Sequence, residues 1–260
     1  MERTNELNHI IIFINKFLDN VDDLHRLLDF ESISVHQFYT KIFCDNTSEK
    51  IYEIDLIKFT ELKTDYVKVI DKIILKIMNH GGRNEKAIAE LRKLQEEIAK
   101  LDFDADREKV GKVKKNFLEY KNRLEIYEEI YENTYGNYVV DVDELQKIRK
   151  ELQELIEDIN ASKIDSKFKQ VILNSLLNMQ YYLEKYYIFG IDGISESLER
   201  VTGSMLLNCN QTQMVTEVEE KIGKKILSLI KNVNAVVTLA KNVIGIAADI
   251  DIPLLEGLFK

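Results

Sequence analysis

The scarcity of turn-forming residues constrains the fold of this chain more than any other feature. Its 260 residues include only ten glycines and one proline, Pro253. An all-β domain needs many more, because glycine and proline supply the backbone angles of tight turns. Apolar residues make up 45 % of the chain and charged residues 31 %, a balance typical of chains that fold around a core. The sequence therefore predicts an all-α protein.

Apolar residues recur every three or four positions along most of the chain, which is the spacing of amphipathic helices. The pattern predicts a multi-helix bundle of about eight or nine helices. Residues 33–43 fit a helix better than a short strand, which stays the alternative. A break near Gly136 suggests an N-terminal bundle over residues 1–138 and a C-terminal bundle over residues 139–260, although a single domain fits the same pattern.

Residues 218–250 carry the broadest apolar face of the chain. Such a face must be shielded from water, so we predict a long C-terminal helix that is buried as a core element. Lys231 and Lys241 argue against a permanent transmembrane helix, because each charge near the bilayer centre costs about 2.5 to 3.5 kcal/mol. The side chains that would form the core-facing or membrane-facing surface are Ile226, Ile230, Val233, Val237 and Ile244.

The same C-terminal helix supports an alternative function. Residues 221–260 carry a formal charge of +3, whereas the preceding 220 residues carry −12. A basic amphipathic helix has affinity for anionic lipid surfaces. The alternative is therefore a membrane-perturbing effector that releases residues 218–250 when a trigger acts.

Three glycines lie close together in YYIFGIDGISESLERVTG, which covers residues 186–203. A phosphate-binding loop would need a preceding strand and a tighter glycine spacing, so we interpret the stretch as a junction between helices. Gly203 falls inside the second helix and predicts a close approach of another backbone. The candidate hinge residues are Gly190, Gly193 and Gly203.

Tyrosines cluster at the ends of two predicted helices. Tyrosine is enriched at protein interfaces, because its ring is apolar and its hydroxyl is polar. We predict a partner-binding surface at Tyr135, Tyr138, Tyr186 and Tyr187.

No catalytic motif is evident in the sequence. Glu6 and Asp22 each lie three residues before a histidine, as in di-iron bundles, but both pairs fall in one predicted helix, so we expect no metal and no cofactor. Arg3 and His9 resemble the arginine–histidine motif of helical HEPN ribonucleases. That resemblance implies a helical ribonuclease as a third function.

The leading hypothesis is a non-enzymatic protein-interaction or assembly protein that binds a protein partner or a second copy of itself. A net charge of −9 disfavours nucleic acid as a partner. Cys44 and Cys209 form no metal-binding or redox spacing, and the first apolar run is typical of a helix rather than a leader peptide, so we expect a cytoplasmic protein. The composition, rich in Ile, Lys, Asn and Tyr, suggests a bacterial toxin-immunity or phage-defence component.

Overall fold

The protein is predominantly helical, as its glycine and proline content predicts. The computed structural model describes residues 2–26, 35–43, 55–79, 84–103, 107–164, 166–209 and 217–242. These ranges contain nine helices and two short strands. Their contacts divide the chain into two compact units, which we call the N-terminal unit (residues 6–134) and the C-terminal unit (residues 1–5 and 135–260).

The first five helices build the N-terminal unit, and the last of them extends one residue beyond it. The segment 33–43, for which a strand was the alternative, is helical from Val35 onwards. The third helix starts after Asp55, whose side chain accepts a hydrogen bond of 2.7 Å from the backbone N–H of Lys58. The helices are α1 (Glu6–Arg26), α2 (Val35–Phe43), α3 (Leu56–Asn79), α4 (Glu85–Ala99) and α5 (Arg107–Tyr135).

An aromatic core holds the N-terminal unit together. The ring of Phe13 lies 4.1 Å from that of Tyr66 on α3, and Phe17 lies 4.6 Å from Phe117 on α5. From α2, Tyr39 contacts Phe59 with a ring separation of 4.6 Å. Each of these rings is at most 2 % exposed, so α1, α2, α3 and α5 are joined by one continuous apolar cluster.

Four helices and a two-stranded ribbon form the C-terminal unit. Asp141 starts the first of them, since its carboxylate accepts hydrogen bonds from the backbone N–H groups of Asp143 and Glu144. Successive helices are neighbours, and the last also packs against the first, so the four enclose a shared apolar core. The elements are β1 (Glu2–Thr4), β2 (Tyr138–Val140), α6 (Val142–Ala161), α7 (Ser166–Glu184), α8 (Tyr186–Cys209) and α9 (Glu217–Asn242).

The ribbon places the N-terminus in a different unit from the one that the sequence suggests. β1 pairs with β2 in antiparallel register, with Arg3 opposite Val139 and Thr4 opposite Tyr138. The prediction assigned residues 1–5 and 135–138 to the first bundle, whereas these contacts assign them to the C-terminal unit. The unit boundary differs from the predicted one because β1 pairs with β2, and these two segments are far apart in the sequence.

The described part of the predicted C-terminal helix is α9. Its residues Ile226, Ile230, Val233 and Val237 are at most 1 % exposed. The opposite face is in contact with solvent, and Leu239 there is 69 % exposed. Within residues 217–242 the helix is thus one side of a four-helix arrangement, not a central helix that its neighbours enclose. Residues 243–250, which include Ile244, lie outside the described residues.

Candidate interaction site

The predicted tyrosine surface is divided between buried and half-buried positions. Tyr135 is 7 % exposed and Tyr138 is 2 % exposed, so the expectation that these two offer a surface to a partner is wrong. Tyr138 is buried because β2 packs beneath α9, and both tyrosines belong to the C-terminal unit. Tyr186 and Tyr187 are half-buried at the start of α8. The structure therefore does not bring the four side chains together as one exposed patch.

The three candidate hinge glycines have different environments. Gly190 interrupts α8 with φ 59° and ψ −160°, a backbone conformation that is essentially restricted to glycine. A Cβ atom on Gly193 would lie 2.6 Å from Cβ of Phe189 and 2.7 Å from Cδ1 of Tyr182. A Cβ atom on Gly203 would meet no atom within 4 Å, so the predicted close approach of a backbone at Gly203 is wrong. The junction contains one real break and one tight contact, and a hinge motion there stays a prediction.

The residues that resemble a nuclease motif or have the spacing of a metal site belong to folded elements. Arg3 belongs to β1, and His9 on α1 is only 6 % exposed. The carboxylate of Glu6 accepts hydrogen bonds from Nζ of Lys76 at 2.9 Å and from the hydroxyl of Tyr131 at 3.1 Å. This buried network ties α1 to α3 and α5. Among the described residues, no three or more His, Cys, Asp or Glu side chains are grouped so that they could hold a metal ion.

The effector alternative depends on α9, which contacts α8 through polar groups. Nζ of Lys241 lies 2.8 Å from Oγ of Ser195 and 3.8 Å from a carboxylate oxygen of Asp192. These contacts fix the end of α9 against α8. No helix in the described ranges has the length and apolar character needed to cross a bilayer. Release of the helix at a membrane stays a prediction.

A small open cavity of about 370 Å³ lies between the end of α6 and the start of α9. Lys225 bridges it by an ion pair with Asp158, which holds the pKa of that carboxyl below its ordinary value. Lys221 and Ile222 complete much of the lining. Because Asp158 and Lys225 pair with each other, the cavity presents no convergent set of catalytic groups.

The most unusual surface of the described chain belongs to α5, which is apolar on two opposite sides. Its inner side chains follow a seven-residue spacing and are at most 3 % exposed, and they pack into the N-terminal unit. They are Val110, Phe117, Leu124 and Tyr131. This inner stripe accounts for most of the contribution of α5 to the core of the N-terminal unit, and it leaves Leu118, Ile126 and Ile130 exposed.

The second apolar side of α5 faces solvent. Leu118 is 48 % exposed, Ile126 is 69 % exposed and Ile130 is 48 % exposed. A residue advances by about 100° around a helix, so the centre of this group lies on the side opposite the inner stripe. We define the outward strip as these three residues together with the exposed polar side chains beside them, Lys115, Asn122 and Glu129.

Ion pairs lie at both borders of the outward strip, and one of them reaches into it, because Glu119 lies between Leu118 and Ile130 around the helix. Arg123 donates to Glu90 on α4 at 2.6 Å and to Glu119 at 3.4 Å. Although partial burial raises the pKa of Glu90, hydrogen bonds from Arg123 and Lys93 outweigh it and hold that pKa below its ordinary value. On the other border, Lys121 lies 3.7 Å from Glu125. The charges beside the strip are therefore already satisfied within the N-terminal unit.

The charges of Lys115 and Glu129 are not satisfied in this way. Among the described residues, Lys115 and Glu129 have no ion-pair partner, and Asn122 has no side-chain hydrogen bond. Two other pairs of exposed apolar residues, Leu56 with Ile57 and Leu75 with Met78, lie at the two ends of α3 instead of along a helix face. The outward strip is thus the longest run of apolar surface along one described helix.

Reasoning from the sequence missed this surface. The apolar spacing that predicts a helix here follows the inner stripe, and Leu118, Ile126 and Ile130 fall outside that spacing. The sequence pattern that indicates this surface is the four-residue spacing of positions 118, 122, 126 and 130, three of which are Leu or Ile. Residues spaced by four form a ridge on a helix, and such ridges are the elements by which helices pack against one another.

Comparisons with known proteins do not indicate a function for this chain. No protein-family model matches the chain, and neither a curated protein nor a solved structure is significantly similar to it.

Proposed function

We propose that this chain is a non-enzymatic helical interaction protein that binds another protein through the outward strip of α5. The observation that carries the proposal is the pair of opposite apolar sides on that helix. One side is used by the fold, as Phe117 and Leu124 show, and the other holds Ile126 with more than two thirds of its side chain in water. A partner that covers the strip would remove this apolar surface from solvent.

The energy available at the strip is sufficient for a specific but modest contact. Full burial of a Leu or Ile side chain contributes about 1.5 to 3 kcal/mol, and about half of that is still to be gained at Leu118, Ile126 and Ile130. Such apolar anchors surrounded by polar side chains are the usual composition of a protein interface. The buried polar networks and the cavity offer no comparable arrangement for catalysis.

Photo-crosslinking in the native cell tests this proposal. We expect a photoreactive amino acid in place of Ile126 to give covalent protein adducts, because the residue would lie in the centre of the interface. The control carries the same amino acid in place of Glu154 on α6, whose side chain is 65 % exposed. Ile130→Asp should remove the adducts at position 126 and leave the helical circular dichroism unchanged. Equal labelling at the two positions, or no adduct at position 126, would contradict the proposal.

A further inference from the structure

The outward strip of α5 has nearly the same order of residues when it is followed in either direction from Asn122. Lys115 lies seven residues before Asn122 and Glu129 lies seven residues after it. Leu118 lies four residues before and Ile126 four residues after. Between Lys115 and Glu129 the strip is therefore apolar on both sides of its centre and carries opposite charges at its two ends. Ile130 lies beyond this symmetric part, since its counterpart is Lys114.

We propose that the partner of the outward strip is the same strip on a second copy of this chain, with the two α5 helices crossing in antiparallel orientation at Asn122. This inference rests on the proposed function and names its partner. A two-fold axis through Asn122 places Leu118 opposite Ile126 of the second copy. It places Lys115 opposite Glu129 at both ends, so each dimer contains the ion pair twice.

Charge complementarity favours a second copy of this chain as the partner, and it favours the antiparallel orientation. Lys115 and Glu129 are exposed, and among the described residues neither has an ion-pair partner within its own chain. The antiparallel arrangement pairs each lysine with a glutamate, whereas a parallel arrangement would oppose like charges, which is unfavourable. The sequence of the strip thus favours one pairing of two identical helices.

Asn122 suits the position on the two-fold axis. Its side chain has an amide donor and an amide acceptor, so two asparagines that face each other can exchange hydrogen bonds. A polar residue in an otherwise apolar helix contact also fixes the register, because a shifted register would leave the amide buried without a partner. The residue that interrupts the apolar ridge therefore has a role in the proposed dimer.

The size of the strip sets the strength of the association. Lys115 and Glu129 are 14 residues apart, which corresponds to about 21 Å along a helix. A contact between two helices over this length is at the small end of specific interfaces, and small interfaces are transient. We therefore expect a reversible dimer whose population rises with protein concentration and falls with added salt.

A charge swap tests the proposal with the full chain. In sedimentation equilibrium, Lys115→Glu or Glu129→Lys alone should weaken dimerisation about tenfold, because each change places like charges together at both ends of the contact. The double variant Lys115→Glu/Glu129→Lys should restore the affinity of the original chain, since the pairs are re-formed with their signs exchanged. Lys150→Glu, at an exposed position on α6, is the control and should leave dimerisation unchanged.

Each other outcome overturns the inference. A chain that stays monomeric at every concentration does not form this dimer. If neither single charge reversal changes the dimerisation constant, the dimer uses another surface. Failure of the double variant to restore the affinity would exclude the antiparallel pairing. Crosslinking of position 126 to a different protein, with the purified chain monomeric, would overturn this inference and leave the proposed function intact.

Discussion

Replacing Val237 with aspartate is expected to unfold the C-terminal unit. Val237 is 0 % exposed and lies in the core shared by α6, α7, α8 and α9. Lys241, four residues later on the helix, already contacts Ser195 and Asp192. A carboxylate at position 237 would therefore be buried without a cation of its own, which costs several kcal/mol. Because small domains are stable by only about 5 to 15 kcal/mol, a loss of this size removes most or all of the folded state.

Leu239 on the same helix provides the matched control. It is 69 % exposed, so Leu239→Asp places the new charge in water. The change should cost only about 1 kcal/mol, through the lower helix propensity of aspartate and its position near the end of α9. Thermal unfolding followed by circular dichroism compares the two variants. Hydrogen exchange of peptides from α3 in the N-terminal unit and from α9 in the C-terminal unit shows which unit has opened. Similar unfolding temperatures for the two variants would mean that residue 237 is not in a core.

Replacing each of the three glycines of α8 with alanine should destabilise the protein at two positions and stabilise it at the third. Gly190→Ala is expected to destabilise the protein by about 1 to 3 kcal/mol, because φ 59° with ψ −160° is strained for any residue with a Cβ atom. Gly193→Ala should cost a similar amount, about 1 to 3 kcal/mol, because its Cβ would overlap Phe189 and Tyr182. Gly203→Ala should instead stabilise by about 0.5 to 1 kcal/mol, since glycine inside a helix is unfavourable.

Urea unfolding of the three variants measures these differences directly, with the slope of the transition as a check that the folded state is otherwise unchanged. The sign at Gly203 is the most informative result. A destabilised Gly203→Ala variant would show that the helix is closely packed there, in agreement with the sequence and against the structure.

The helices could be predicted from the sequence because apolar spacing determines which residues a helix can bury. Val237 and Phe117 both follow such a pattern and both are in a core. The pairing of β1 with β2 could not be predicted in the same way. Residues 2–4 form a short polar segment, and their partners lie more than 130 positions later. No local sequence pattern therefore predicts the pairing.

The candidate surfaces were harder to predict than the helices. Tyr138 was expected at a partner surface because tyrosine is common in both interfaces and cores, and only the position of β2 beneath α9 decides between them. Ile126 was overlooked for the converse reason. A helix with two apolar sides gives a weak overall apolar pattern, so its second side becomes visible only after the first has been placed in the core.

Oxidative footprinting of side chains tests most directly whether the outward strip is covered by protein in solution. The unmodified chain is exposed to hydroxyl radicals at low and high protein concentration, and the oxidation of individual residues is read by mass spectrometry. We expect Leu118, Ile126 and Ile130 to lose reactivity as concentration rises. Leu177 and Leu239, which are 49 % and 69 % exposed, should keep theirs. Unchanged reactivity along α5, or an equal loss at all five residues, would contradict self-association through the outward strip.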